Sequence, residues 1–112
     1  MAEIIMAKND TDWDGRGDFL NNDPGFVNHQ FMTMNTPNGG TDVNTCVADT
    51  DFYMPCQSGT PMQAAARSRH SGGAHALFAD ATARFIANTI DLNSWRALGT
   101  MNGGEVISYS FQ

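Results

Sequence analysis

The sequence predicts an α+β domain, in which an antiparallel β-sheet carries one short helix and long loops join the elements. Three observations lead to this prediction: a hairpin pattern over residues 74–87, a helical pattern over residues 92–98, and a composition with 11 Gly and abundant Asn and Asp. A chain of 112 residues with 41% hydrophobic content has room for one modest core. We therefore expect a single domain over residues 1–112.

The elements before the hairpin are short. Residues 2–7 predict a strand, because both faces are apolar apart from Glu3. Residues 9–28 predict a long loop, and residues 31–35 predict a short strand that ends at a Pro-Asn-Gly-Gly turn. Residues 61–67 fit either one helical turn or an extended segment.

The hairpin pattern consists of two strands, residues 74–79 and 82–87, around the two-residue turn Asp80-Ala81. This register places six apolar side chains on one buried face. The predicted pairs are Phe78 with Ala83, Ala76 with Phe85, and Ala74 with Ala87. It also requires a positive φ at Ala81.

A short helix is predicted over Leu92–Leu98, because its leucine and tryptophan side chains recur on one side. Asp91 is suited to cap its N-terminus, and Gly99 is available at its C-terminal cap. Residues 105–111 alternate apolar and polar side chains, which predicts a last strand.

The charge balance argues against two classes of partner. The chain has 12 acidic and 6 basic residues and a net charge of −6. Binding of nucleic acid needs clustered Lys and Arg, as does docking to anionic lipid. No run of about 18 apolar residues is present, so we expect no membrane insertion by this chain.

An acidic motif resembles the first half of a calcium loop, because alternate carboxylates can converge on one cation and a glycine stands at the sixth position. Its candidate ligands are Asp10, Asp12, Asp14 and Asp18. Asn21 stands at the twelfth position, where a bidentate Glu belongs. Two alternatives remain: a weak calcium site, or a solvated acidic loop in which Arg16 neutralises Asp14 or Asp18.

A metal site could be formed by the side chains of His70, His75 and Asp80, which are all metal-ligating types. The predicted strand and turn keep His75 and Asp80 several residues apart, so the three are not expected to converge. We favour a structural role for His70, hydrogen-bonded beneath Gly72 and Gly73. Asp80 is then expected to be a turn residue that binds backbone amides.

A hydrolase would need an activated nucleophile. Ser68, Ser71 and Ser94 lie near histidines or the helix, but the chain has no Gly-x-Ser-x-Gly elbow. We therefore expect a non-enzymatic protein with no catalytic residues. Trp13 and Tyr53 could stack on sugars if they are exposed, so a secreted carbohydrate- or solute-binding module is the alternative.

Residues 67–107 combine many residue types in a distinctive order. The segments are Ser68-Arg69-His70-x-Gly72-Gly73, Leu77-Phe78-Ala79-Asp80, Ile90-Asp91-Leu92, Trp95-Arg96-Ala97-Leu98-Gly99-Thr100 and Gly103-Gly104-Glu105-Val106-Ile107. This order resembles the C-terminal region of a planctomycete-type pseudopilin-like family, which is labelled by a His, nine residues, then Asp-Gly. Ala81 stands where the family has Gly, and this chain lacks the family's hydrophobic prepilin helix.

The resemblance implies a pilin-like globular head that serves as a structural or interaction domain of a type II secretion or pilus-like envelope apparatus. Its partners would be other pilin-like subunits or secretion-apparatus proteins. It would lie in the periplasm or at the cell surface, anchored to the membrane if an upstream prepilin helix exists. We expect the chain to be a shortened piece of a longer protein, and a genuine relative without the anchor is the alternative.

The two cysteines, Cys46 and Cys56, are too few for a zinc site of four cysteines, and the nine residues between them exclude a Cys-x-x-Cys motif. The resemblance and the exported location that it implies favour a disulfide between them. Two independent thiols are the alternative.

Overall fold

The computed structural model describes residues 2, 3, 16, 31–44, 46, 54–100, 103 and 104. The elements in these residues are β1 (Asp42–Val43), β2 (Cys56–Gln57), β3 (Gly73–Leu77), β4 (Ala83–Ala87) and α1 (Leu92–Leu98). The predicted α+β class is confirmed. The predicted strand over residues 105–111 lies outside the described residues, as do residues 4–7. No helix in the described part of the chain is long and apolar enough to cross a membrane.

β3 and β4 form an antiparallel hairpin, but the predicted register is wrong by one residue. Phe85 was expected opposite Ala76 and instead pairs with His75. Because successive side chains of a strand alternate between faces, a shift of one residue moves all of β4 to the other face. Ile86 is therefore fully buried in the core, and Phe85 lies on the face that carries His75.

The hairpin turn explains the shifted register, because it contains three residues and not two. The Phe78 N–H donates to the Thr82 carbonyl at 2.9 Å, and the Ala81 N–H donates to the Phe78 carbonyl at 3.0 Å. Ala81 has φ 63°, so the predicted positive φ is confirmed. A left-handed residue at the end of a three-residue loop is a common way to close a hairpin.

Residues 63–67 are extended, which decides between the two alternatives that the sequence allowed. The carbonyls of Ala64 and Ala66 each accept a backbone hydrogen bond of 2.8 Å, from Met32 and Asn38 respectively. The Arg67 N–H donates to the Glu3 carbonyl at 2.8 Å. The segment therefore joins the loop of residues 31–40 to the backbone beside β3.

Residues 33–35 form a turn and a bend, and residues 31 and 32 belong to no strand, so the strand predicted over residues 31–35 is wrong. The Trp95 Nε1–H donates to the Asn35 carbonyl at 2.9 Å, and Arg96 donates to the Met34 carbonyl at 3.1 Å. These carbonyls are bonded by side chains of α1 and not by a neighbouring strand. The Trp95 indole is 2% exposed and packs on Phe31 with ring centroids 6.0 Å apart.

The helix α1 is confirmed with the predicted bounds and caps. The Asp91 carboxylate accepts hydrogen bonds from the N–H and hydroxyl of Ser94, at 2.9 and 3.0 Å. Gly99 ends the helix. The helix places Trp95 in the core, whose other buried members are Ala66, Ala74, Ala76, Ile86 and Ile90.

A buried carboxylate, that of Asp42, joins β1 to Arg16 and to residues 65–67. Asp42 on β1 is fully buried, and its Oδ2 accepts hydrogen bonds of 2.8 Å from both Arg16 and Arg67. Its Oδ1 accepts from Arg67 at 3.0 Å and from the Ala65 N–H at 2.9 Å. Arg67 thus binds the carboxylate in a bidentate manner, the geometry that best suits a guanidinium and a carboxylate.

The cysteine loop closes beside this carboxylate. β1 pairs in parallel with β2, and Asp42 lies opposite Cys56. Cys46 and Cys56 form a disulfide with Cα atoms 6.3 Å apart, which confirms the pairing. A disulfide around a loop of this length stabilises a fold by about 2–3 kcal/mol. It also indicates an extracellular or periplasmic environment.

We predict that Asp42→Asn lowers the free energy of unfolding by about 3–5 kcal/mol, because two buried guanidiniums lose the negative charge that compensates them. Urea titration monitored by circular dichroism is the measurement. Asp80→Asn is the matched control, since Asp80 is an exposed carboxylate and its loss should change stability far less. Equal effects of the two variants would contradict the assigned role of Asp42.

We predict that Ala81→Gly stabilises the domain by about 0.5–1 kcal/mol, because glycine adopts a positive φ without the strain that alanine carries. The opposing contribution is the larger unfolded-state entropy of glycine. Ala79→Gly in the same turn is the control and should destabilise, since Ala79 has no positive φ to relieve. A less stable Ala81→Gly variant in denaturant titration would refute the strain.

Candidate functional site

One carboxylate lies between two imidazoles on the surface beside β3. The Nε2 atom of His70 is 3.0 Å from Oε1 of Glu3, and the Nδ1 atom of His75 is 3.4 Å from Oε2. The side chains of His70, His75 and Glu3 are 53%, 48% and 35% exposed. The three groups form a cluster that solvent can reach, and we call it the Glu3 cluster.

The backbone around Glu3 fixes the carboxylate in this position. The Glu3 N–H donates to the His75 carbonyl at 3.1 Å, while the Glu3 carbonyl accepts from the Arg67 N–H at 2.8 Å. The side chain is held as well, since its Oε2 accepts from the His75 N–H at 2.7 Å. Backbone hydrogen bonds therefore hold Glu3 between β3 and Arg67.

The loop that carries His70 is ordered by a serine. The Ser68 hydroxyl donates to the Gly73 carbonyl at 2.5 Å and accepts from the His70 N–H at 3.1 Å. Gly72 has φ 85°, and a Cβ on Gly73 would lie 2.7 Å from Cζ of Phe85. The first glycine is thus needed for its backbone conformation and the second for its lack of a side chain.

The register of the hairpin determines the surroundings of His75. Its ring packs edge-on against Phe85, the residue opposite on β4, with centroids 5.2 Å apart. It also meets the His70 ring at an interplanar angle of 85° with centroids 5.0 Å apart. With the predicted register, Phe85 would have been on the other face and could not have contacted this ring.

Partial burial would raise the pKa of Glu3, but hydrogen bonds to the carboxylate act in the opposite direction. The His75 N–H and the His70 ring donate to it, and the charges of both imidazoles add to the effect. The pKa of Glu3 is consequently below its ordinary value of 4.5. The carboxylate is therefore ionised at neutral pH.

The histidine of the sequence motif is placed differently from the prediction. His70 lies beside Glu3 rather than beneath the glycine pair, because Ser68 takes the position under the glycine carbonyl. Asp80 lies in the hairpin turn, where the hydroxyl and N–H of Thr82 donate to its carboxylate and lower its pKa. His75 and Asp80 do not meet in the described structure.

Two residues of the structure were not predicted as site or core partners. The sequence pattern predicts only a strand for Glu3, and it carries no signal for Asp42. The described ion pair of Arg16 is with Asp42. The predicted calcium ligands Asp10, Asp12, Asp14 and Asp18 lie outside the described residues, so calcium binding stays a prediction.

An apolar groove of about 900 Å³ lies on another part of the surface. It runs between residues 31–34, the end of β3 and the C-terminal turn of α1. Its lining includes Phe31, Met34, Leu77, Phe78 and Leu98. Met34 and Leu77 are 50% and 44% exposed, so the groove has two large apolar side chains in contact with solvent.

A family model described as "Protein of unknown function (DUF1559)" matches residues 1–93. This match covers most of the chain, and the chain belongs to the DUF1559 family. No curated protein and no solved structure matches the chain. The matched range contains β1 to β4, the disulfide and the Glu3 cluster.

We predict that the stability advantage of the wild type over Glu3→Gln depends on pH. A carboxylate whose pKa is lowered by folding stabilises the native state above its unfolded pKa, here about 4.5. The advantage is lost as the pH falls through the folded pKa, because the carboxylate is then protonated. Thermal unfolding of both proteins from pH 7 to pH 3, in buffer with a metal chelator, measures the difference in stability. A difference in stability that is independent of pH would contradict the prediction.

Proposed function

We propose that this member of the DUF1559 family is a non-enzymatic interaction domain of a pilin-like or type II secretion-like apparatus of the cell envelope. The observation that supports the proposal most directly is the apolar groove with its exposed Met34 and Leu77. Contiguous exposed apolar surface favours contact with another protein. The groove would then receive an apolar side of a neighbouring pilin-like subunit.

The disulfide supports the same setting from a different direction. Subunits of an envelope apparatus fold where thiols are oxidised, and a small domain with a modest core gains stability there from a cross-link. The Cys46–Cys56 disulfide closes the segment next to β1, which is two residues long. This agrees with a protein that works outside the cytoplasm.

A secreted solute- or carbohydrate-binding module is the second candidate, because a volume of about 900 Å³ is of the size of small-molecule sites. Such sites usually contain several convergent polar groups. Among the described residues, the hydroxyl-bearing side chains of the lining are Thr33 and Thr100. Trp13 and Tyr53, which were predicted to stack on sugars, lie outside the described residues, and Trp95 in the lining is 2% exposed and has no free face for a sugar. A protein partner is therefore favoured.

The experiment is photocrosslinking in the source cell, with a photoreactive phenylalanine in place of Leu77 in the natural full-length protein. We expect adducts with pilin-like or secretion-apparatus subunits, identified by mass spectrometry. Position 93 is the control, because Asn93 is exposed on α1 and does not line the groove. No protein adduct at position 77, or the same adducts from both positions, would refute the proposal.

The second candidate is tested on the same surface. A solute-binding module should bind soluble glycans or other small solutes in calorimetry, and Leu77→Asp should weaken that binding. Such a result, together with a plain signal peptide in the upstream reading frame, would favour the binding module. A prepilin leader in that frame would favour the interaction domain.

A further inference from the structure

We propose that Glu3, His70 and His75 bind a zinc ion on the surface beside β3. Two imidazoles and a carboxylate are a ligand set that zinc uses in proteins. One ligand atom from each of the three residues can be chosen so that all three lie within 4.8 Å of one another. The inference does not depend on the apolar groove or on the proposed interaction with other subunits.

The distances in the Glu3 cluster are close to those of a coordinated ion. Zinc bonds of about 2.0–2.1 Å in a tetrahedral site place neighbouring ligand atoms about 3.3 Å apart. The His70 Nε2 atom is 3.0 Å from one carboxylate oxygen of Glu3, and the His75 Nδ1 atom is 3.4 Å from the other. The ligand nitrogens lie within 4.8 Å of each other, and the His70 ring can turn toward His75, since it is 53% exposed and only the His70 backbone is held by Ser68.

The surroundings orient the ligands as the outer shell of a metal site does. Oε2 of Glu3 also accepts the His75 N–H, which fixes the carboxylate between the two rings. Phe85 packs against the His75 ring, and the Ser68 hydroxyl holds the His70 backbone. Ligands held in this way lose little freedom when the metal binds.

The chemistry of the ligands selects the type of metal. Calcium and magnesium prefer oxygen ligands, whereas imidazole nitrogen suits zinc and other late transition metals. The Glu3 cluster is therefore distinct from the calcium site predicted at residues 10–18. The exposed rings leave the fourth coordination position to water.

The ion would have a structural effect, because its ligands come from distant parts of the chain. Glu3 is separated by 67 residues from His70 and by 72 from His75. Zinc would join the N-terminal segment to β3 and to the loop before it. A ligand that binds only the folded state raises its stability.

The first test is calorimetry with zinc chloride at pH 7.5, using the full 112-residue chain after treatment with chelator. We expect one zinc ion per chain. His70→Gln and His75→Gln should each weaken binding at least tenfold. Asp80→Asn is the matched control, since it removes an exposed carboxylate of the same hairpin outside the cluster, and its affinity should equal that of the wild type. An excess of calcium should not compete.

A second measurement separates loss of a ligand from loss of the fold. At a zinc concentration about 100-fold above the Kd, the Tm of the wild type should rise by roughly 10 °C. Glu3→Gln keeps a hydrogen-bond acceptor for the His75 N–H, and its Tm should rise much less. Circular dichroism without zinc checks that each variant is folded. Absence of zinc binding by the wild type, or equal affinity in the wild type and His75→Gln, would refute the site.

Discussion

Much of the described structure depends on the buried ion pairs that the Asp42 carboxylate forms with Arg16 and Arg67. The carboxylate is fully buried and binds two guanidiniums and a backbone amide, so it connects β1, Arg16 and residues 65–67 at one point. Burial of a charge is costly unless it is paired and hydrogen-bonded, and this carboxylate meets both conditions. Because β1 is two residues long, its backbone hydrogen bonds alone would hold it weakly.

The buried ion pair also leads to the Glu3 cluster. Arg67 binds Asp42 through its side chain and the Glu3 carbonyl through its backbone. The next residue, Ser68, orders the loop that carries His70. The surface cluster is thus connected to the buried carboxylate by two adjacent residues. A change at Asp42 is therefore expected to disturb the cluster as well as the fold.

Local signals in the sequence were sufficient for the helix, the position of the hairpin and the positive φ at Ala81. The register was not predictable in this way, because β4 has a large apolar side chain on each face, Phe85 on one and Ile86 on the other. A three-residue loop rather than a two-residue turn decided between them. The turn and bend at residues 33–35 and the placement of Glu3 depend on distant partners, which one sequence without pairing information does not reveal.

The long sequence separation within the Glu3 cluster has a kinetic consequence. Loop-closure entropy must be overcome before Glu3 can contact residues some 70 positions further along the chain. The hairpin and α1 form from local contacts and do not wait for that closure. The cluster is accordingly complete only when the segment of Glu3 has docked on β3, so a probe of its imidazoles would report that docking rather than the formation of the hairpin.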